Sequence, residues 1–384
     1  MFSKKIWRFL LPLLAVLLIS GCRFFFDSGL SVRLHSDLSL FDRSGEEKSF
    51  SQSEMLLPLN LKEQQFHSVA GWLDDEEIIY VENSADGIGS SVYAYHIFSG
   101  KKKSLFRSEN PILTVTISPS HSRLLVISSA SDDQAKVDVI DVKSLAALYS
   151  KTFFATELSA VWNPYDENEI LITSFYEDWT YESELLHIDQ KRTVLVDLPQ
   201  PFSVPLGGGE WLMLDWDTET PATAAPLIVW REGKEKRIFD GREFYHVNGW
   251  KDVFVAVGVK GDGRDVSDFT FFDRNFRAIG SFAVPLLSGY SEWIVPYYDL
   301  LENRRQLLIV EPKSAGVQDS YKGGFRLVLR DIREGKEETV ADPAENLPVD
   351  CSPNGRYCLY GYRLENILFL KEKKILPLVV TDNI

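Results

Sequence analysis

The sequence predicts an all-β protein, a β-propeller of four-stranded blades, preceded by a lipoprotein signal peptide and a tether. Three observations support this prediction. Short apolar runs broken by turn residues follow one another from about Ser68 onward, and no long stretch has helical periodicity. The runs come in fours, with a strand–turn–strand pattern in each group. The groups repeat at roughly 45 residues, which is typical of sheets arranged around an axis.

The chain begins with the features of a cleaved signal peptide. Lys4, Lys5 and Arg8 precede an apolar run from Phe9 to Ile19, which is too short to cross a bilayer core of about 30 Å. The following Ser20-Gly21-Cys22 completes a pattern that resembles the lipobox of bacterial lipoproteins, in which the cysteine takes a diacylglyceryl group. We therefore expect residues 1–21 to be removed and Cys22 to be lipidated. A plain secretory signal with an incidental cysteine is the alternative.

Lipidation at Cys22 predicts a mature chain held on the extracytoplasmic face of the cell membrane. Each buried methylene contributes about 0.8 kcal/mol, so two acyl chains give stable anchoring. The formal net charge of the whole chain is −15, and removal of the signal peptide makes it more negative. This charge disfavours nucleic acid and favours basic partners, although acidity is also an ordinary means of solubility.

Two parts follow the signal peptide. Residues 22–60 match no repeated unit and predict a lipidated tether, in which Phe24-Phe25-Phe26 either enter the membrane interface or pack on the globular body. Residues 61–384 predict the propeller. Seven units are counted there, with openings near Ser68, Leu113, Leu158, Ser203, Phe244, Tyr290 and Leu347.

The turn between the first two strands of a unit has a local signature. It is Ser118-Pro119-Ser120-His121-Ser122-Arg123 in one unit and Ser352-Pro353-Asn354-Gly355-Arg356 in another, with looser versions after Trp72 and Trp162. Proline presets φ for a turn, and Ser, Asn or Asp side chains bond back to the backbone. The pattern therefore predicts a hairpin that recurs with the period of the units.

This hairpin resembles the blades of TolB-like and WD40-like propellers. Together with the lipobox and the order of the segments, it makes the chain similar to the YqgU-like propeller lipoproteins of Gram-positive bacteria, a family of unknown biochemical role. The resemblance covers about residues 65–380, and its motifs specify blades rather than an activity. It implies six blades. Either the weakest unit, 203–243, is not a separate blade, or the family's number does not fit this chain.

Cys351 and Cys358 flank the Ser-Pro-Asn-Gly turn of the last unit. Facing positions on neighbouring strands would bring their sulfur atoms together, and an exported location permits oxidation. The alternative is two buried thiols, because the register across the turn decides the pairing and the sequence does not fix it.

The sequence contains no recognised catalytic signature. It lacks a Gly-x-Ser-x-Gly elbow, a phosphate loop, a dinucleotide fingerprint, a His-Glu-x-x-His helix and a Cys-x-x-Cys pair. The six histidines are scattered singly. We therefore predict no catalytic residue, no metal site and no cofactor.

Candidate binding residues come from the geometry of propellers, in which loops between second and third strands share one face with the links between blades. The loop 174–183 stands out for Tyr176, Glu177, Asp178, Trp179 and Tyr181. Large aromatic side chains in loops supply rigid contact area and are enriched at recognition surfaces. Alternatively, they fold over the edge of the propeller as a local core.

Further acidic candidates lie in two more loops of that face: Asp217, Asp262 and Asp265. The carboxylates around Asp262 and Asp265 are spaced three apart, which suits calcium, but the loop departs from the EF-hand order, so a solvated acidic loop is favoured.

These features predict a membrane-anchored extracytoplasmic binding module for a protein or cell-envelope ligand. One alternative is an assembly scaffold with a broad apolar patch on a blade edge. Another is an enzyme, for instance a glycan hydrolase or lyase, with Glu177, Asp178, Asp217 or Asp262 as acid and base. Such an enzyme needs two carboxylates that converge in one cleft.

Overall fold

The computed structural model describes residues 55–217, 219–260 and 265–382. Across these residues the chain consists of β-strands and turns, with a single 3-10 turn at Gln318–Ser320 and no α-helix. The described strands form seven consecutive antiparallel sheets of four strands each, which confirms the predicted all-β propeller. No helix in the described ranges is long and apolar enough to cross a membrane. Cys22, the signal peptide and the predicted tether up to residue 54 lie outside these residues.

The strands are numbered in chain order. Strand β1 spans Leu59–Lys62. Blade 1 comprises β2 (Phe66–Trp72), β3 (Glu77–Asn83), β4 (Ser90–His96) and β5 (Lys102–Ser108). Blade 2 comprises β6 (Ile112–Ile117), β7 (Arg123–Ser131), β8 (Gln134–Asp141) and β9 (Ala147–Phe154). Blade 3 comprises β10 (Glu157–Trp162), β11 (Glu169–Phe175), β12 (Tyr181–His187) and β13 (Arg192–Val196). Blade 4 comprises β14 (Val204–Gly207), β15 (Glu210–Leu214), β16 (Leu227–Arg231) and β17 (Lys234–Ile238). Blade 5 comprises β18 (His246–Gly249), β19 (Val253–Lys260), β20 (Val266–Asp273) and β21 (Ala278–Pro285). The link to blade 6 contains β22 (Leu287–Ser288) and β23 (Trp293–Ile294). Blade 6 comprises β24 (Tyr298–Leu301), β25 (Gln306–Pro312), β27 (Phe325–Asp331) and β28 (Glu337–Ala344), with β26 (Gly316–Val317) in its central loop. Blade 7 comprises β29 (Val349–Cys351), β30 (Tyr357–Tyr360), β31 (Asn366–Phe369) and β32 (Lys374–Pro377), and β33 (Val379–Asp382) follows it.

Each unit counted from the sequence corresponds to one blade. The unit 203–243, the weakest in the sequence, forms the complete sheet of blade 4. The sixth unit begins later than expected, at Tyr298, because β22 and β23 are inserted before it and pair with β26 in a small separate sheet. The count of seven is therefore confirmed for the described residues, and the count of six that the family resemblance implies does not fit this chain.

The second strand of each blade contains an unbroken run of four or more buried residues. In β7, Leu124, Leu125 and Val126 are fully buried. Such strands are continuously apolar rather than alternating, because both faces of a blade pack against neighbours. A cluster of buried apolar side chains fills each of the seven interfaces between adjacent blades in the described chain. Full burial of one large apolar side chain stabilises a fold by about 1.5–3 kcal/mol, so the interfaces hold sheets that would not be stable alone.

The predicted hairpin signature has the same geometry in two blades. In blade 2, the N–H of Ser118 donates to the Arg123 carbonyl at 2.9 Å, and Ser118 Oγ accepts from the Arg123 N–H at 3.1 Å. In blade 7, the N–H of Ser352 donates to the Tyr357 carbonyl at 2.8 Å, and Ser352 Oγ accepts from the Tyr357 N–H at 3.2 Å. The serine therefore closes the turn through both its backbone and its hydroxyl.

The ring closes between blade 7 and blade 1 without sharing a strand between the two ends of the chain. Trp72 Nε1 donates to the Asp350 carbonyl at 3.0 Å, and the Asn354 N–H donates to Asp75 Oδ1 at 2.8 Å. Beside this seam, β1 pairs in parallel with β33 and adds Leu59 to the interface cluster. The first and last described strands thus form a clasp across the seam.

Two faces of the ring are distinguished below. The upper face carries the links between blades and the loops between second and third strands, and the lower face carries the other turns. The described chain enters at the lower face, where the Leu57 N–H donates to the Ile97 carbonyl at 2.8 Å in the turn between β4 and β5.

Cys351 and Cys358 lie directly opposite each other in β29 and β30. Their sulfur atoms are 2.01 Å apart, at bonding distance. The register that the sequence left open is therefore the one that pairs the two cysteines across the hairpin of blade 7.

Candidate binding face

The hairpin between β11 and β12 projects from the upper face of blade 3. The Tyr176 N–H donates to the Thr180 carbonyl at 3.0 Å, and the Trp179 N–H donates to the Tyr176 carbonyl at 3.0 Å. Asp178 Oδ1 accepts from the Thr180 hydroxyl at 2.6 Å and from its N–H at 3.1 Å. These bonds fix the turn and hold Trp179, at a φ of 66°, with 72% of its surface exposed.

The two tyrosines of this hairpin behave differently from Trp179. Tyr181 is partly buried, and its hydroxyl donates to the Leu198 carbonyl at 3.0 Å. The Tyr176 hydroxyl donates to Glu182 Oε2 at 3.3 Å. Burial raises the pKa of both phenols. Tyr181 is therefore held against the link between blades 3 and 4 and Tyr176 bonds within its own hairpin, whereas Trp179 and Glu177 face solvent.

Further aromatic side chains lie at the upper ends of blades 2 and 3, near the base of the hairpin that carries Trp179. The rings of Phe175 and Phe202 stack with centroids 5.5 Å apart. The Thr156 N–H donates to the Phe175 carbonyl at 2.9 Å, which puts the nearby Phe154 on the same rim. Phe154 is 68% exposed and Phe202 is 48% exposed. We call Phe154, Phe175, Trp179 and Phe202 the aromatic patch.

Sequence analysis missed Phe154 and Phe202. Phe154 is the last residue of β9 and Phe202 lies in the link before β14, so neither belongs to a loop between second and third strands. The available signal was a large aromatic residue beside the end of a fourth strand, or just before a first strand.

Exposed apolar side chains are distributed unevenly over the described surface. The turns of the lower face carry Leu145, at 42% exposure. The upper face carries the larger set: Ile88, Leu113, Phe154, Trp179, Phe202, Tyr290, Tyr297, Val317 and Tyr362. Since exposed aromatic side chains are enriched at recognition surfaces, the upper face is the candidate interaction surface.

The predicted acidic candidates lie on separate blades of that face. Asp178 belongs to blade 3, Asp217 to blade 4 and Asp265 to blade 5, whereas Asp262 lies outside the described residues. Hydrogen bonds from Thr180 lower the pKa of Asp178, and hydrogen bonds led by the Glu219 N–H lower that of Asp217. A carboxylate that serves as a general acid needs a raised pKa, so neither group is prepared for that role.

Two carboxylates that sequence analysis missed meet near the axis of the ring. Asp299 in β24 accepts hydrogen bonds from the N–H groups of Cys351 at 2.7 Å and Leu300 at 2.8 Å. Burial raises the pKa of Asp299 to about 6. Burial, followed by the charge of Asp299, raises the pKa of Asp350 well above its ordinary value. Burial therefore disfavours the ionised form of both carboxyl groups.

The contacts of Asp299 and Asp350 give the pair a structural role. Asp299 joins blade 6 to the backbone of blade 7, and Asp350 lies against Trp72 and Gly71 of blade 1. A Cβ on Gly71 would lie 3.0 Å from Asp350 Oδ2, so the glycine leaves room for the carboxylate. Among the described residues, no group of three or more His, Cys, Asp and Glu side chains could hold a metal ion.

A cleft of about 350 Å³ lies on the upper face between blades 4 and 5. Its cationic side chains already have partners. Arg237 lies 3.5 Å from Asp215, and Arg242 lies 3.9 Å from Asp268 and over the ring of Phe244. The cleft therefore offers little free positive charge to an anionic ligand.

A family model and a relative in sequence point to the same protein family. The family model described as the YqgU-like 6-bladed beta propeller domain matches residues 96–361. This range contains blades 2 to 6 whole, but only parts of blades 1 and 7. The chain is 23% identical over 314 residues to the uncharacterized lipoprotein YqgU of Bacillus subtilis (strain 168), across 81% of this chain and 83% of the relative.

Solved structures show the same fold. The uncharacterized protein lmo1340 from Listeria monocytogenes EGD-e superposes with a TM-score of 0.78 at 19% identity, over 85% of this chain and 98% of that one. The β-propeller domain of the Trilobed protease from Pyrococcus furiosus gives a TM-score of 0.55 at 12% identity, over 85% and 98%. At these identities the similarity concerns the fold alone.

Proposed function

The chain belongs to the family of YqgU-like β-propeller domains, and we propose that it is a lipid-anchored module outside the cell membrane that binds a protein partner through its upper face. The crowding of exposed apolar side chains on that face carries the proposal. The described hairpin around Trp179 is held by its own hydrogen bonds, so it offers a preformed contact surface. Preformed surfaces lose less conformational entropy on binding.

The lipobox supports the membrane anchor. A signal peptide at residues 1–21, lipid on Cys22, a tether to about residue 60 and the propeller from there onward make one consistent organisation. The relative from Bacillus subtilis is named a lipoprotein, which supports the same interpretation.

The entry point of the chain supports an orientation. The first described residues lie at the lower face, where Leu57 bonds to Ile97. The segment from Cys22 to Met55 can span at most about 115 Å when fully extended. An anchor attached at the lower face leaves the upper face free to meet a partner away from the bilayer.

The same observations weigh against the two alternatives. A scaffold that binds through a blade edge needs a broad apolar side patch. Apart from Phe154 at the upper end of β9, the exposed apolar residues of the described outer strands are Val194, Leu195 and Ile375. An enzyme needs convergent, available carboxylates. The convergent pair at the axis, Asp299 and Asp350, is engaged in contacts between blades.

The anchor is tested by Cys22→Ser in the full chain. The proposal expects the wild-type protein in the membrane fraction. The variant should instead be exported as a soluble chain or accumulate as a precursor that keeps its signal peptide. Equal membrane recovery of both after alkaline washing, with a cleaved signal peptide in each, contradicts lipid anchoring.

The binding face is tested by a photocrosslinking residue placed in the full chain in living cells. Glu177 on the upper face and Glu334 in a lower-face turn are matched exposed positions. The proposal expects a discrete protein adduct from position 177 and none from position 334. Adducts from 334 alone, or from neither position, contradict it.

A further inference from the structure

The chemistry of the partner can be inferred from the charges around the aromatic patch. Five upper-face segments of blades 2 to 4 share this side of the ring: residues 129–135, 154–157, 175–182, 196–204, and 214–226 without the undescribed residue 218. They contain no lysine, arginine or histidine. Their acidic residues are Asp132, Asp133, Glu157, Glu177, Asp178, Glu182, Asp197, Asp215, Asp217 and Glu219. Lys136, directly after the first segment, pairs with Asp138 at 3.1 Å.

Nearly all of the carboxylates in these segments face solvent. Asp215 is the exception, because it is partly buried and lies 3.5 Å from Arg237. Within the part of the chain that the structure describes, it is also the one member of the set with an ion-pair partner. The other carboxylates accept hydrogen bonds at most, as Asp178 does from Thr180. The negative potential around the patch is therefore not neutralised by the protein itself.

The upper face of blades 5 to 7 has a different charge pattern. Its loops and links in blades 5 to 7 mix acidic residues with cationic ones: Arg242, Lys260, Lys313, Lys322 and Arg363. The exposed aromatic residue Tyr362, at 65% exposure, lies in that part. The combination of exposed aromatic rings with unbroken negative charge is thus particular to blades 2 to 4.

We propose that the aromatic patch and its acidic surround bind a cationic protein segment that carries apolar side chains between lysines or arginines. This inference rests on the proposed function and names the partner class of the same face. Exposed rings such as Trp179 and Phe154 attract cations through their π-faces and also bury apolar side chains. The surrounding carboxylates accelerate the approach of a positive partner and repel anionic polymers and anionic lipid headgroups.

The test uses the full chain, purified from membranes in a mild non-ionic detergent, and three labelled short peptides. The first intersperses lysine with leucine, the second has glutamate in place of lysine, and the third has serine in place of leucine. Fluorescence anisotropy measures binding. The inference expects the lysine–leucine peptide to bind at least about tenfold more tightly than either control, since both charge and apolar contact contribute. High salt should weaken this binding, because the Debye length falls from about 10 Å at 0.1 M to about 3 Å at 1 M.

Matched variants locate the binding surface. Trp179→Ala should weaken binding of the lysine–leucine peptide at least about tenfold, as loss of a central aromatic contact does. Tyr362→Ala removes a similarly exposed aromatic residue outside the acidic segments, and it should leave binding unchanged. A combined Glu157→Gln and Glu177→Gln variant should weaken binding mainly at low salt. These positions are exposed, so circular dichroism should show all variants folded.

Three results would overturn the inference: equal affinity for the glutamate peptide, no binding of the lysine–leucine peptide, or a Trp179→Ala variant that binds as wild type does. None of them touches the proposed function. A partner crosslinked to the upper face through blades 5 to 7 would leave that function standing while this inference fails. An absence of upper-face adducts in cells would contradict the proposed function whatever the peptides do.

Discussion

The carboxylate of Asp299, on the first strand of blade 6, accepts a hydrogen bond at 2.7 Å from the N–H of Cys351, on the first strand of blade 7. The same strand of blade 7 contributes Asp350, whose pKa is raised by burial and then by the charge of Asp299. The innermost strands of blades 6, 7 and 1 are therefore joined around two buried carboxyl groups.

This pair predicts a pH-dependent stability. The pKa of Asp299 is about 6 in the folded chain against an ordinary value of 3.8. A carboxyl group whose pKa is raised in the folded state stabilises the fold when it is protonated. This stabilisation is complete below pH 3.8, the ordinary pKa, and is lost as the pH rises through about 6. Asp350→Asn removes the like charge, so it should stabilise the protein at pH 8 by an amount on the order of 1 kcal/mol, with little effect at pH 4.

Urea denaturation at the two pH values measures this difference. The exposed Glu177→Gln serves as the control and should shift stability equally at both. A destabilised Asp350→Asn at pH 8, or the same change at pH 4 and pH 8, would show that the pair does not titrate as argued.

A second prediction concerns Glu311, which is fully buried in blade 6. Its carboxylate accepts from Arg330 Nη2 at 3.0 Å and from Arg326 Nη2 at 2.9 Å. Glu311→Ala removes the buried partner of the Arg330 guanidinium, which keeps only its more exposed partner Glu337 at 2.6 Å. The free energy of unfolding should therefore fall by about 3 kcal/mol. Glu334→Ala breaks the exposed pair with Lys336 and should change it by less than about 1 kcal/mol. Comparable losses in the two variants would refute the argument.

The third prediction concerns the clasp that closes the ring. Leu59 in β1 is 5% exposed and packs into the cluster between blades 7 and 1. Leu59→Ala should lower the free energy of unfolding by about 2–5 kcal/mol, as other large-to-small core changes do. The nearby Met55 is 62% exposed, and Met55→Ala should have almost no effect. A neutral Leu59→Ala would mean that β1 does not contribute to closure.

The fourth prediction concerns Cys351 and Cys358. A bond between them closes a short loop, so reduction should lower the free energy of unfolding by roughly 2–3 kcal/mol on the chain-entropy model. Mass spectrometry of the exported chain should find both thiols protected from alkylation until reductant is added. The double variant Cys351→Ala and Cys358→Ala should be insensitive to reductant. Alkylation of both cysteines in the untreated, denatured protein would contradict the pairing.

Local features of the fold could be predicted from the sequence, because the chemistry that forms them is local. Ser118 and Ser352 each close a turn through atoms only five residues apart, and this turn recurs in the repeat. Blade 4 was the weakest unit because its strands are short and Gly207 interrupts the pattern. Its place in the ring becomes evident only from its packing against blades 3 and 5.

The candidate site was only partly predictable, because it depends on neighbours that are distant in sequence. Trp179 and Tyr181 look equivalent in the sequence, but the link that contains Leu198 covers the tyrosine and not the tryptophan. Asp299 and Asp350 likewise come close only because both lie on the innermost strands of adjacent blades. Sequence shows that each acid interrupts a short first strand, but not that adjacent blades bring the two together.

The central claim, that a partner covers the upper face of blades 2 to 4 in the cell, is tested most directly by cysteine footprinting. Glu177→Cys and Glu334→Cys each add one thiol, at an upper-face and a lower-face position. A membrane-impermeant maleimide should label position 177 more slowly on intact cells than in the purified protein, and position 334 at equal rates in both. Equal rates at position 177 in cells and in the purified protein would contradict the account.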